Sequence, residues 1–404
     1  MAEEMKNLKL KKIFDLLGPG FVTATLVLGP GTITVCSKAG ALYGNSFLWA
    51  ILISAVFMIY CTRICAKIGC INEKSFLSLI GDSYGKAWPA LVGLSVFISC
   101  SGFQTGNNIG VGLSMNAMFG GSMAIWAFLF TAISLLFIWT SRNFYDILEK
   151  VMLLMLIVMV VAIVGNLFFL DLDIKEIGKG FIPSAPKDLG LLIAIASTSF
   201  SVVGAAGQSY MVQAKKWKVR DLRKGLLDAT TGILFLCVLS AVIIITSATV
   251  LAPKSITVNS AIEMAMQLEP LLGSFAKWLF LIGLFAASFS SFLANSVLSG
   301  MFLADALGLG KTINDKWVKI FSSILLVVST CIAVLFNSNP IQLLIMAQAT
   351  TCFGYPLVII MIFLLSNNKN VMREYKNNII TNIVLGLAIL WVLFLSFRQL
   401  YSII

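Results

Sequence analysis

Apolar runs of 18 or more residues, almost free of charge, recur along the whole of this 404-residue chain. Such a run crosses the hydrocarbon core of a bilayer as a helix, because its backbone polar groups find no water there and must bond to each other. With 59% of residues hydrophobic and only 12% charged, the chain carries more apolar surface than a soluble domain of its size needs to bury. The expected class is therefore an all-α integral membrane protein, built as a single domain over residues 1–404. The first twelve residues are polar and no small-residue cleavage site follows a short apolar core, so no removable leader is expected.

About eleven spans are expected, at roughly 13–43, 45–67, 87–117, 122–140, 146–170, 188–214, 226–251, 270–303, 317–336, 340–366 and 378–401. Placing the N-terminus inside puts 22 of the 29 Lys and Arg on the inner side, including Lys6, Lys9, Lys11, Lys12 and the cluster from Lys215 to Lys224. That asymmetry favours a cytoplasmic N-terminus and an external C-terminus in a multi-pass protein of the cell membrane. The net charge of +11 then reads as attraction to the bilayer's anionic leaflet, not to nucleic acid. The outer connection at about 252–269 holds Glu263 and Glu269 in a pattern that suits a surface helix.

Two spans are interrupted by glycine. The first carries Gly29-Pro30-Gly31-Thr32 and the sixth carries Gly204-Ala205-Ala206-Gly207-Gln208. Proline removes a backbone donor and glycine accepts strained dihedrals, so a helix can unwind at such a site. Paired interruptions in corresponding halves point to the substrate site of a secondary transporter. The pattern suggests two five-span units, about 13–170 and 188–366, with an additional helix at about 378–401. Five is odd, so the second unit is expected to be inverted relative to the first.

Neither break contains an acid or a histidine, and the chain has no histidine at all. The eight cysteines form no Cys-x-x-Cys pair and read as buried free thiols. No nucleophile–base pair or metal-ligating cluster is visible, so an enzyme is not expected, and no cofactor either. The residues able to meet a substrate are neutral. They are Gly29, Thr32, Gly204, Ala205 and Gln208 at the breaks, with Gln104, Asn107, Asn108 and Gln348 on other spans and Asn295 beside them. The same amides also suit plain helix–helix hydrogen bonding. The metal ligands stay unknown on this reading. Of the acids, Asp228 lies furthest into a span, either as a proton carrier or paired with Arg223 or Lys224. Lys38 either faces an incoming carboxylate or snorkels to the outer interface.

The segments Gly18-Pro19-Gly20-Phe21, Gly29-Pro30-Gly31-Thr32 and Ala39-Gly40-Ala41 resemble the first helix of the Nramp family. Gly283-Leu284-Phe285-Ala286-Ala287 through Ser290-Ser291 resembles its eighth helix, and Ala347-Gln348 through Tyr355-Pro356 its tenth. The resemblance implies a LeuT-type fold with broken helices 1 and 6, and proton-coupled transport of Mn, Fe and related divalent metals. It also implies departures at the site. Gly29 and Thr32 stand where the family's Asp-Pro-Gly-Asn ligates metal, and Ala205-Ala206-Gly207 stands where it has Met-Pro-His. Gln104 and Asn107 stand where it has acids on the proton route. Ala205 is similar to a branch that carries magnesium, although that branch keeps the acid that Gly29 replaces.

A bare dication in a neutral site would be an unpaired buried charge, which is costly. The expected function is therefore transport, by alternating access, of a divalent cation that keeps much of its water, magnesium-like in its preference for oxygen. The alternative on the same scaffold is a small organic solute such as an amino acid, whose two charges the half-helix ends would meet. A transport-dead binding scaffold is the third reading.

Overall fold

The computed structural model describes residues 18–140, 154, 157–335 and 339–403. Among the described residues all regular structure is helical. The first span is a bent pair, α1 (Pro19–Val27) and α2 (Pro30–Tyr43), with an angle of 58° at Leu28–Gly29. Pro30 occupies the first turn of α2, where its missing N–H costs nothing. Continuing α1 through it would drive its ring into the Leu26 carbonyl, so the helix stops and restarts.

Then follow α3 (Leu48–Ile71), the short α4 (Phe76–Tyr84), α5 (Ala87–Phe119) and α6 (Met123–Thr140). An apolar helix, α7 (Ile157–Phe169), closes the first half. It is the end of the expected span at 146–170, whose earlier part lies largely outside the described residues. The second half holds α8 (Leu189–Ser199), α9 (Val202–Ala214), α10 (Leu222–Val250), α11 (Ala276–Ala306), α12 (Lys316–Leu335), α13 (Pro340–Thr350), α14 (Tyr355–Asn367) and α15 (Ile379–Ile403). The described residues give nine helical runs long and apolar enough to span a bilayer, and ten with the α1–α2 pair. The expected surface helix is present as Ala261–Ala265, capped by Ser260.

The second interruption is displaced from the glycine-rich stretch. Gly204 to Gln208 are helical, inside α9, and the chain breaks at Phe200 (φ −115°, ψ 72°) and Ser201 (φ −78°, ψ 95°). Ser201 is the reason: its hydroxyl accepts the Gly204 N–H at 3.1 Å and so caps a new helix there. The glycines serve packing instead. A Cβ on Gly204 would stand 3.1 Å from Val27, and one on Gly207 would stand 3.2 Å from Leu298.

The tenth span, expected to be continuous, tightens into a 3-10 turn at Thr351–Gly354 between α13 and α14. Pro356 cannot donate to Cys352 and crowds its carbonyl. The Ser396 hydroxyl takes that carbonyl at 2.8 Å, and Ser99 takes the Thr351 carbonyl at 2.7 Å.

Burial separates centre from rim. In the span Leu189–Ala214, 89% of the most apolar stretch is buried within the protein, against 22% in α6 and in α15. The α8–α9 span is thus central, while α6 and α15 turn their apolar side chains to lipid. Around the centre, α10 lies along α1, α2 and α3, and α5 lies along α11.

Candidate functional site

At the first break three hydrogen bonds shape the backbone. Leu28 N–H donates to the Ala24 carbonyl and Gly29 N–H to the Val27 carbonyl, each at 2.8 Å. The Thr32 hydroxyl donates to the same Val27 carbonyl at 3.0 Å, tying α2 to α1. The carbonyl end of α1 and the N–H end of α2 therefore meet here with opposite partial charges. The second interruption lies alongside, since Gly204 packs on Val27, the last residue of α1.

Three side chains from three other helices close on this point. A Cβ built on Gly29 would stand 3.0 Å from Asn107 Oδ1 of α5 and 3.5 Å from Ser291 Oγ of α11. Asn107 makes no side-chain hydrogen bond with any described residue. The Gln348 amide of α13 fills the room left by two glycines, touching the positions that a Cβ on Gly31 or on Gly106 would take. Its Oε1 is buried with no hydrogen-bond partner among the described residues. An orphaned buried carbonyl oxygen costs about 1–3 kcal/mol, and this one lies beside the helix break. Gly110 continues the same stripe, letting Pro30 and Ser288 come against α5. Thr32, Asn107, Ser291 and Gln348 are all buried, the most exposed being Asn107 at 4%.

The other candidates stand elsewhere. Gln104 cross-links α5 to α11, donating to the Phe292 carbonyl at 2.9 Å and accepting from Asn295 Nδ2 at 3.0 Å. Asn108 turns to the rim, donating to Thr330 Oγ1 at 2.6 Å, which in turn meets Thr131. Ala205 is wholly buried in the first turn of α9. Gln208 grips α1, with its amide 2.5 Å from Thr23 Oγ1. Oriented so that its NH₂ faces acceptors, it also donates to the Pro19 carbonyl at 2.9 Å.

Asp228 forms no ion pair with Arg223 or Lys224; its Oδ2 accepts the Gly20 N–H at 2.6 Å and caps α1. Lys38 lines a cavity of about 210 Å³ together with Asp188 and Gln342, and no residue of the break is among its lining. Ser291 was not among the candidates. Its signal was the polar spacing Ser288, Ser291, Asn295, Ser299, which marks one face of α11.

Among the described residues no three His, Cys, Asp or Glu side chains group to hold a metal ion. The oxygen atoms at the break are neutral.

Residues 20–402 match the family model for Nramp, natural resistance-associated macrophage protein-like. The chain belongs to the Nramp family. The divalent metal cation transporter MntH of Caldanaerobacter subterraneus subsp. tengcongensis is 24% identical over 416 residues, spanning 99% of this Nramp chain and 97% of the relative. A protein of the same description from Yersinia pestis is 24% identical over 417 residues, spanning 100% and 99%. Among solved structures, the Eremococcus coleocola manganese transporter bound to an aromatic bis-isothiourea compound matches with a TM-score of 0.78. That match has 15% identity and covers 96% of this chain and 85% of that one. The fold is thus the LeuT-type arrangement of this family, and the protein is a transporter scaffold, not an enzyme.

Proposed function

We propose that this Nramp-family protein carries a divalent cation across the cell membrane by alternating access, and that the cation keeps much of its water. The observation that carries the reading is the Gln348 carbonyl oxygen, buried beside the break in α1–α2 without a hydrogen-bond partner among the described residues. With Asn107 Oδ1, Ser291 Oγ and Thr32 Oγ1 it offers neutral oxygen acceptors at the carbonyl end of α1. Neutral oxygens suit the water shell of a hard ion such as magnesium, which dehydrates reluctantly. They do not supply the charge or soft sulfur that would favour a stripped transition metal. The curated relatives, named as divalent metal cation transporters, support cation over organic solute as cargo.

The break is buried, so loading and release require the α1 and α9 half-helices to move. Thr32, Gln208 and Asp228 hold the α1 half in place. The reading includes two inverted units, about 13–170 and 188–366. It places the N-terminus inside and the C-terminus outside, following the basic residues. A cysteine introduced by Ser402→Cys should then react with an impermeant label added to intact cells, and protection would reverse the orientation.

Uptake into proteoliposomes tests the function. Saturable magnesium uptake is expected, with weaker discrimination against manganese and no uptake of amino acids. Absence of saturable uptake of every dication at millimolar concentration, with an amino acid accumulating instead, overturns the proposal.

A further inference from the structure

A second cavity, of about 430 Å³, lies on the basic face where α3, α10 and the start of α15 meet. It is lined by Arg63 and Lys67 of α3 and by Lys376 before α15, with no acid among its lining residues. Arg63 and Lys67 are four residues apart, so they share one helix face and repel each other. Both are half-buried, and each is held in place by a neutral partner. Arg63 Nη1 donates to Thr230 Oγ1 at 2.9 Å, and Lys67 Nζ donates to the Tyr375 carbonyl at 3.3 Å. Two other lysines, by contrast, have carboxylate partners: Lys74 pairs with Asp82 and Lys218 with Glu73, each at 2.7 Å. The three cations of the cavity have no such carboxylate among the described residues.

Cations fixed by neutral hydrogen bonds, spare donors facing a cavity and no internal counter-charge make a receptor for an external anion. Ile59, Ile64 and Leu226 supply an apolar wall beside them, and Tyr60 stands with them, as aromatic residues do at a bilayer interface. We propose that this cavity binds the phosphate headgroup of an anionic phospholipid, with the start of its acyl chains on the apolar wall. Basic pockets between spans recognise lipid headgroups in this way. The lipid would bridge α3, α10 and α15, and no residue of the break lines the cavity.

Native mass spectrometry of the full-length protein in detergent tests this with three probes: phosphatidylglycerol, phosphatidylcholine and inorganic phosphate. Retention of phosphatidylglycerol over phosphatidylcholine is expected. Each cation neutralised should weaken it roughly fivefold, so Arg63→Gln with Lys67→Gln should cost about 25-fold. Lys376→Gln alone, at an exposed loop position, should cost about fivefold and guards against a folding defect in the double variant. The pair Lys74→Gln with Lys218→Gln should stay within twofold of the native chain. Equal retention of both lipids, an equal loss in the control pair, or full displacement by millimolar inorganic phosphate would each overturn the proposal.

Discussion

Replacing Gly29 with aspartate places a charge where the break is neutral. The backbone accepts it: Gly29 is extended at φ −99°, a conformation open to any residue. The new Cβ would stand 3.0 Å from Asn107 Oδ1, slightly too close. Among the described residues no side chain or backbone group hydrogen-bonds the Asn107 amide, so it can yield by the few tenths of an ångström required. The carboxylate then enters between Asn107 and Ser291.

A dication one water away, at about 4 Å, gains about 8 kcal/mol of gross Coulomb attraction at an effective dielectric of 20. Desolvating carboxylate and ion takes back most of this. A net of roughly 1.4–2.8 kcal/mol remains, worth ten- to a hundredfold in Kd. Calorimetric titration with manganese should register that gain for Gly29→Asp and none for Gly29→Asn, which reproduces the crowding without the charge. Without metal the aspartate is a buried unpaired charge, so the variant should melt lower and recover when manganese is added. If Gly29→Asp folds like the native chain yet binds manganese within twofold of it, the ion does not sit where Gly29 faces.

Gln348→Leu removes the orphaned oxygen while keeping the bulk. It should raise stability by about 1–2 kcal/mol in thermal melts and abolish cation uptake, because an unmade buried hydrogen bond is relieved and an acceptor is lost; retained uptake would remove Gln348 from the site. Thr32→Val breaks the tie across the break but leaves the Val27 carbonyl its bond from Gly29. The loss should be about 0.5–1.5 kcal/mol, with Thr32→Ser near native, and equal melts for both would refute the tie. Gly110→Val drives side-chain atoms into Pro30 and Ser288, which cannot retreat without moving the break, and should cost about 1–3 kcal/mol or prevent accumulation.

Outside the bilayer, Asp315 accepts the Lys311 and Thr312 N–H groups, each at 2.8 Å, which holds its carboxyl below the usual carboxylate range. A depressed pKa contributes stability above the unfolded value that is lost as pH falls through the folded one. The protection of those two amides, taken relative to their intrinsic exchange rates, should therefore persist at pH 5 and be lost only below the ordinary carboxylate pKa of about 4; loss of protection between pH 7 and 5 would contradict it.

The spans and the first break were legible in the sequence because their causes are local. Hydrocarbon thickness sets the length of an apolar run, and Pro30 stops a helix whatever surrounds it. The second interruption was misplaced because Gly204 and Gly207 read as unwinding residues. Their helix is instead secured by the Ser201 cap and by the close approach of Val27 and Leu298, distant in sequence. The three amides of α5 show the same limit. Gln104, Asn107 and Asn108 fall within about one turn, and composition does not rank them. Tertiary contacts do, through partners far along the chain: Phe292 and Asn295 take Gln104, and Thr330 takes Asn108. Asn107, about 100° around the helix from Asn108, is left facing Gly29. Sequence alone determined that this is a helical membrane transporter with a neutral break, since hydropathy and proline act over a few residues. Only the tertiary structure decided which oxygens meet at that break, because a side chain's direction is set by the helix packed against it.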